Sequence, residues 1–282
     1  MGLDRLAILG LGLLGGSIGL AIKERLKSCT VVGYAHRPET LKAAMDLGAI
    51  DIGGDTPGKA VEQADLIVIC TPVRLIAPMI TEISSSLKHD SVVTDVGSTK
   101  RSIVQEAARV IPRQFVGSHP MAGSEKRGVE FARSDLFQNA LCIVTPTEEN
   151  PPGIERVEGF WRLLGMHTVR MNASAHDQDV SDVSHLPHLL AAAIVSMQHE
   201  QALSVAGRGF LDMTRIAAGD GGLWRDILID NRKAVQHSLN RLKRVLTGIE
   251  TMLESEDAEG VKKWLEDAAA KRETIGRSNR AK

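Results

Sequence analysis

The chain has 282 residues, enough for two modest domains, each with its own core. Lys and Arg number 34 against 35 Asp and Glu, and the formal net charge of −1 gives no electrostatic reason for nucleic acid or an anionic membrane as partner. Three separated cysteines, Cys29, Cys70 and Cys142, offer neither a disulfide framework nor a zinc spacing, so a reducing, cytoplasmic setting is expected.

In chain order, the apolar run 6–9 predicts a strand, after which Leu14, Ile18, Ala21 and Ile22 recur at helical spacing. Residues 31–34 predict a second strand, and the next helix opens at Pro38, a residue suited to a first turn. The run 66–70 ends in Thr71-Pro72, and 92–94 ends in Asp95. Three further strands are expected at 115–116, 141–144 and 168–171. Strands with almost no polar alternation, separated by helices, imply a parallel sheet covered on both faces. Residues 1–171 are therefore expected to form a doubly wound α/β domain.

Strand signals vanish after residue 172, and 172–282 is expected to be an all-α domain. Residues 178–206 predict a helix kinked at Pro187, with a middle apolar enough to be buried on most sides. Its longest uncharged apolar run, 189–197, is too short to span a bilayer, which takes about 20 residues. Trp224, Leu228, Asn231, Val235, Leu239, Leu242, Val245, Leu246, Ile249 and Met252 then form an apolar seam on one long helix or two. The polar end, 275–282, is expected to fray. A seam of this length points to a homodimer through the helical domain, with a self-contained helical bundle as the alternative.

Residues 10–15, GLGLLG, lie between the first strand and the first helix, where G-x-G-x-x-G acquires a mechanism. Gly10 permits the tight turn, Gly12 lets backbone approach a pyrophosphate, and Gly15 allows close helix–strand packing. Leu13 and Leu14 open the helix whose free N–H groups favour phosphate. This is a Rossmann-type dinucleotide signature. NAD usually meets an acid at the end of the second strand. Here Ala35 holds that place, followed by His36 and Arg37, and a guanidinium there favours the 2′-phosphate of NADP over NAD. Thr71, Pro72 and Asp95, at further strand ends, are expected on the cofactor side.

The segment from Gly117 to Gly123 places His119 at another strand end. VTDVGSTK, SHPMAGSE, HDQDVSDVSHLPH, DMTRIA and LWRDILIDNR follow GLGLLG in order, and together they resemble the prephenate/arogenate dehydrogenase family of tyrosine biosynthesis over residues 5–235. The resemblance is to the short, single-function form. It implies oxidative decarboxylation of a cyclohexadienol, prephenate or arogenate, with hydride passing to NAD(P). It implies His119 as the base for the substrate hydroxyl and Ser98 as a second group on that hydroxyl. It implies Arg215 as the fork for a substrate carboxylate, with His185 and Glu125 beside the substrate. Asp212 and Trp224 are further candidates, as orienting acid and pocket wall. His185 and His188 lie three apart, but with no Cys or carboxylate at ligand spacing no metal is expected. The chain departs from many relatives at Gly209-Phe210-Leu211, where a second basic residue is absent.

Two other readings compete. A relative acting on 3-hydroxy acids would share the plan but relies on a lysine in the first helix of the helical domain, and 178–206 contains none. A non-catalytic NAD(P) sensor would not need Ser98, His119 and Arg215 to converge.

Overall fold

The computed structural model describes residues 2–124, 126–146 and 151–278. The core is a five-stranded parallel sheet of order β3-β2-β1-β4-β5, formed by β1 (Arg5–Leu9), β2 (Thr30–Tyr34), β3 (Ile52–Gly53), β4 (Leu66–Ile69) and β5 (Val92–Asp95). Both faces are covered. Leu6, Ile8, Leu66 and Val68 point to a layer that includes Ile18 and Ile22 of α1 (Leu13–Arg25), with α2 (Pro38–Asp46) beside it. Ala7, Leu9, Ile67 and Ile69 point the opposite way, toward Ala60 of α3 (Pro57–Val61), Ile76 and Ile80 of α4 (Val73–Ile83) and Ile103 of α5 (Arg101–Val110). Burial on both sides is why these strands are uninterrupted apolar runs.

Beyond β5 the parallel sheet stops. The strand expected at 115–116 touches β5 only through a bridge between Val93 and Phe115, and the regular strand β6 is Gly117–Pro120. It runs antiparallel to β7 (Leu141–Thr145), which pairs in parallel with β8 (His167–Arg170). The uniform parallel sheet is thus corrected to five parallel strands plus a mixed three-stranded sheet. The fully buried Trp161 of α6 (Pro151–Leu163) spans the join, its indole N–H donating to Ser118 Oγ of β6 at 3.0 Å.

The helix expected over 178–206 is broken. It begins as α7 (Ala173–Val180), widens into a π-helical turn at Ser181–His185, resumes as α8 (Leu186–Ser196) and stops. A π turn just before Pro187 accommodates the missing proline N–H. The short helices α9 (Glu200–Leu203) and α10 (Arg208–Thr214) follow. Nor is the apolar middle buried: of α8 only Ala191 is sealed, and Met197 just beyond it is 76% exposed. The seam divides at Asn231 into α11 (Gly221–Asp230) and α12 (Arg232–Glu254), and α13 (Ala258–Ser278) carries helix into the end expected to fray; residues 279–282 lie outside the described residues.

Two compact units emerge, one extending through Arg232 and one from Lys233 onward. In the second, α12 and α13 leave Leu246, Leu253, Trp264 and Leu265 open to solvent. Among the described residues no helix is long and apolar enough to cross a membrane.

Candidate active site

The site lies within the first unit, at the carboxyl ends of the strands. Gly10 has φ +105°, and a β-carbon on it would stand 2.7–2.9 Å from the backbone of Cys70 and Thr71, so the β1 turn and the end of β4 touch. Gly10 N–H also donates to the Tyr34 carbonyl at the end of β2 (2.9 Å). A β-carbon on Gly15 would collide with the Gly10 carbonyl oxygen, whereas one on Gly12 would meet nothing within 4 Å. The first and third glycines are therefore packing necessities, and the second leaves open space at the amino end of α1, where Leu13 and Leu14 begin the helix.

No side chain caps α1 and no acid lies in its first turn, so its positive end is free for an anion. Among the described residues the buried Thr71 hydroxyl oxygen has no hydrogen-bond partner. An open cradle, an uncapped helix and an orphaned hydroxyl together fit a dinucleotide. His36 and Arg37 are exposed just past β2, and Pro72 is exposed beside Thr71.

Asp95 does not belong to this cradle. Its side chain is fully buried and paired with the equally buried Lys100, while Gly97 N–H (2.9 Å) and Ser118 N–H (3.1 Å) also donate to it. The carboxylate is saturated and turned inward, joining β5 to β6 where backbone pairing fails. Ser118 Oγ adds a bond to the Asp95 carbonyl (2.6 Å) and another to Thr94 Oγ1 (2.8 Å). Ser98 is half-buried in the turn after Gly97, directly beyond the clasp.

His119 is 8% exposed, and its Nδ1 lies 2.9 Å from His176 Nε2. Burial first, then the electrostatic influence of His176, Lys100 and His185, holds its pKa well below the ordinary imidazole value, so it is neutral at neutral pH. His176 Nδ1 pairs with Asp177 Oδ1 at 2.8 Å. Asp177 in turn accepts the backbone N–H groups of Lys100 (2.7 Å) and Arg101 (3.0 Å), capping α5 from another element.

Asn231, at the seam break, donates from Nδ2 to the Asp177 carbonyl (2.7 Å) and to His185 Nδ1 (3.1 Å). His185 Nδ1 therefore accepts, and the proton of this neutral ring sits on Nε2. That Nε2 is buried without a hydrogen-bond partner among the described residues. Burial pushes the His185 pKa down to about 4, and the Ser98 backbone lies beside it.

Trp224 stands edge-on to His185 (6.1 Å between centroids) and stacked on His188 (3.4 Å). Burial and then the nearby Arg215 charge lower the His188 pKa. A contiguous path thus leads from His119 through His176, Asp177, Asn231, His185, Trp224 and His188 to Arg215. Arg215 and Asp212 are exposed, and Glu125 lies outside the described residues.

His176, Asp177 and Lys100 are residues the sequence reading did not single out, although each sits inside a quoted motif, and Asn231, read there as part of an apolar seam, is instead a buried hydrogen-bond donor. Among the described residues no group of three or more His, Cys, Asp or Glu is arranged to hold a metal ion.

Comparisons with known proteins point to one family. A family model described as prephenate dehydrogenase, nucleotide-binding domain, matches residues 18–170, and one described as prephenate dehydrogenase, dimerization domain, matches 172–267. Prephenate dehydrogenase from Bacillus subtilis (strain 168) is 37% identical over 275 residues, 94% of this chain and 74% of that protein. The crystal structure of prephenate dehydrogenase from A. aeolicus in complex with hydroxyphenyl propionate and NAD+ aligns with TM-score 0.92 at 31% identity, covering 98% of this chain and 99% of that one. Synechocystis arogenate dehydrogenase aligns with TM-score 0.85 at 26% identity, covering 96% and 99%.

Proposed function

The chain belongs to the prephenate dehydrogenase family, and from that premise we propose how its residues divide the reaction. It is a tyrosine-biosynthesis dehydrogenase that uses a nicotinamide cofactor. The single observation that carries the assignment of roles is His119: a buried, neutral imidazole on a strand end, tied, among the described residues, on one nitrogen.

The bound nicotinamide supplies the acceptor for the hydride that leaves C4 of the cyclohexadienol. The open space at Gly12, the amino end of α1 with Leu13 and Leu14, and Thr71 and Pro72 would hold the dinucleotide. At the adenosine end His36 and Arg37 stand where an acid would select against a 2′-phosphate, which favours NADP while leaving NAD able to bind.

His119 takes the proton of the substrate C4 hydroxyl at Nε2. As hydride leaves C4 the C4–O bond becomes a carbonyl. The ring carbon–carboxylate bond then breaks with loss of CO2, its electron pair completes the aromatic ring, the carbonyl pair returns to oxygen, and the resulting phenolate regains a proton. Aromatisation drives the step, so the protein need only orient the pieces and accept a proton. Ser98 shares the hydroxyl and keeps it in register with His119. Arg215 forks a carboxylate and His185 Nε2–H donates to a second oxygen, with Trp224 as wall and Asp212 and Glu125 as nearby acids.

Prephenate and arogenate differ by one keto-for-amino exchange, and this chain is proposed to act on one or both. A second copy is proposed to cover the exposed apolar face of α8 and the helices of the dimerization domain. The deciding experiment offers prephenate or arogenate with NADP or NAD to the purified chain and follows reduced nicotinamide. Absence of turnover in all four combinations would sink the reading.

A further inference from the structure

Asp177, His176 and His119 form a hydrogen-bonded row that has only one possible direction. A carboxylate can accept hydrogen bonds but not donate them. Burial raises the Asp177 pKa, but bonds from His176 and from the Lys100 and Arg101 backbone outweigh it and leave the group below its ordinary value, hence ionised. His176 Nδ1, 2.8 Å away, must therefore carry a proton. Burial, the largest influence on His176, lowers its pKa and keeps the ring neutral, so this is its only ring proton. His176 Nε2 is then a bare acceptor, and His119 Nδ1, 2.9 Å from it, must donate. His119 is neutral too, which leaves its Nε2 as a lone pair at the opposite side of the ring.

We propose that His176 and Asp177 are positioning residues that lock His119 in its Nδ1–H tautomer, so that Nε2 is always the proton-accepting atom. The inference rests on the reading of His119 as the base. An isolated neutral histidine prefers its proton on Nε2, and a base in that form would offer the substrate hydroxyl a donor in place of an acceptor. The nitrogen that carries the proton is set by the bond the other nitrogen makes. The row also serves once the proton has been taken. His119 becomes an imidazolium whose Nδ1–H already points at an acceptor, with the Asp177 charge one ring behind, and no proton need travel along the row.

The row is rigidly supported. His176 and Asp177 are buried, Asp177 is anchored on the amino end of α5, and Asn231 grips its carbonyl. The other charged or titratable groups that act on His119 are Lys100, from the turn before α5, and His185, from the π turn. Neither makes a hydrogen bond to His119 Nδ1 that could set the tautomer.

The test is a two-bond 1H–15N spectrum of the full-length chain labelled on histidine, with His119 assigned by its disappearance in His119→Asn. The wild type is expected to show His119 protonated on Nδ1 and bare on Nε2; a proton on Nε2 overturns the proposal. His176→Phe keeps an aromatic ring but removes the acceptor. His119 should then move to the Nε2–H form and kcat should fall roughly a hundredfold or more, as loss of general base catalysis implies, with KM and cofactor affinity kept. His176→Gln brings a carbonyl to the place of Nε2 and should restore both tautomer and rate. A fall in kcat in His176→Phe with the tautomer unchanged reduces His176 to packing and overturns the proposal. Because the spectrum needs no turnover, a locked tautomer in a chain inactive on both substrates would count against the functional reading alone.

Discussion

Gly15 lies so close under Gly10 that a β-carbon on it would strike the Gly10 carbonyl oxygen, while Gly12, between them, looks onto empty space. Two alanine substitutions in one turn should therefore fail differently. Gly15→Ala overpacks the turn and should cost about 1–3 kcal/mol of stability in a denaturant melt. Gly12→Ala should melt as the wild type does but bind cofactor about tenfold or more weakly, as loss of 1.4 kcal/mol of contact implies. Equal cofactor affinity in Gly12→Ala and wild type would show that the open space is not the pyrophosphate site.

Removing the base should spare the cofactor. His119→Asn is expected to lower kcat by roughly a hundredfold or more, with the dissociation constant for the dinucleotide near the wild-type value. Single-turnover kinetics and a fluorescence titration read the two separately, and a variant that loses both in proportion argues for collapse of the fold.

Arg37 is exposed at the end of β2 with no carboxylate at position 35 or 36. A charge-assisted bond to phosphate is worth about 1.5–3 kcal/mol. Arg37→Ala should therefore raise KM for NADP about tenfold or more and leave KM for NAD alone. Parallel loss with both cofactors, or with neither, would remove Arg37 from the site.

Arg215 carries its charge close to His188 and Trp224. Arg215→Gln is expected to raise the substrate KM by about tenfold or more, the cost of one charged hydrogen bond, with cofactor KM unchanged. A substrate KM like that of the wild type would refute the carboxylate fork.

The buried imidazoles should make the fold sensitive to acid. In the unfolded chain His119, His176 and His185 take up protons below about pH 6.5, whereas in the native chain burial keeps all three neutral to lower pH. Unfolding therefore binds protons in that window, and stability falls as pH falls. His185, with a native pKa of about 4, should alone cost roughly 3 kcal/mol by the time pH reaches that value. Melting temperature should drop steadily from neutral pH to about pH 5; a flat profile would mean that these rings already titrate normally in the folded state.

The parts of the fold legible in the sequence were those whose environment dictates their pattern. Residues 66–69 and 92–95 are buried on two faces and are uninterrupted apolar runs except at Thr94 and Asp95. The two residues of β3 are too few to form a pattern, and a strand carries no mark of its direction, so the reversal at β6–β7 was invisible. The apolar middle of α8 promised burial, but a single chain cannot show what covers an apolar face. In the site, His119 stood out because strand ends gather ligands, and Ser98 was named only through the family resemblance. His176 and Asp177 did not, because an adjacent His and Asp in a helix resemble a solvated face. Their partners lie 57 and 76–77 positions away, beyond the reach of local spacing. Asp95 misled for the same reason: its position suggested the cofactor, and its distant partners turned it inward.

That inward turn has a consequence for how the reaction geometry is maintained. Neighbouring strands in a regular ladder are held at about 4.8 Å by many backbone bonds, but β5 meets β6 through two side chains, the Asp95 carboxylate and the Ser118 hydroxyl, with one backbone bridge to Phe115 just before β6. The spacing of the two strands is thus set chiefly by side chains, not by a backbone ladder. Asp95→Glu would keep the charge but add a methylene to a fully buried clasp, and so would press directly on the spacing of the strands that carry the reaction geometry.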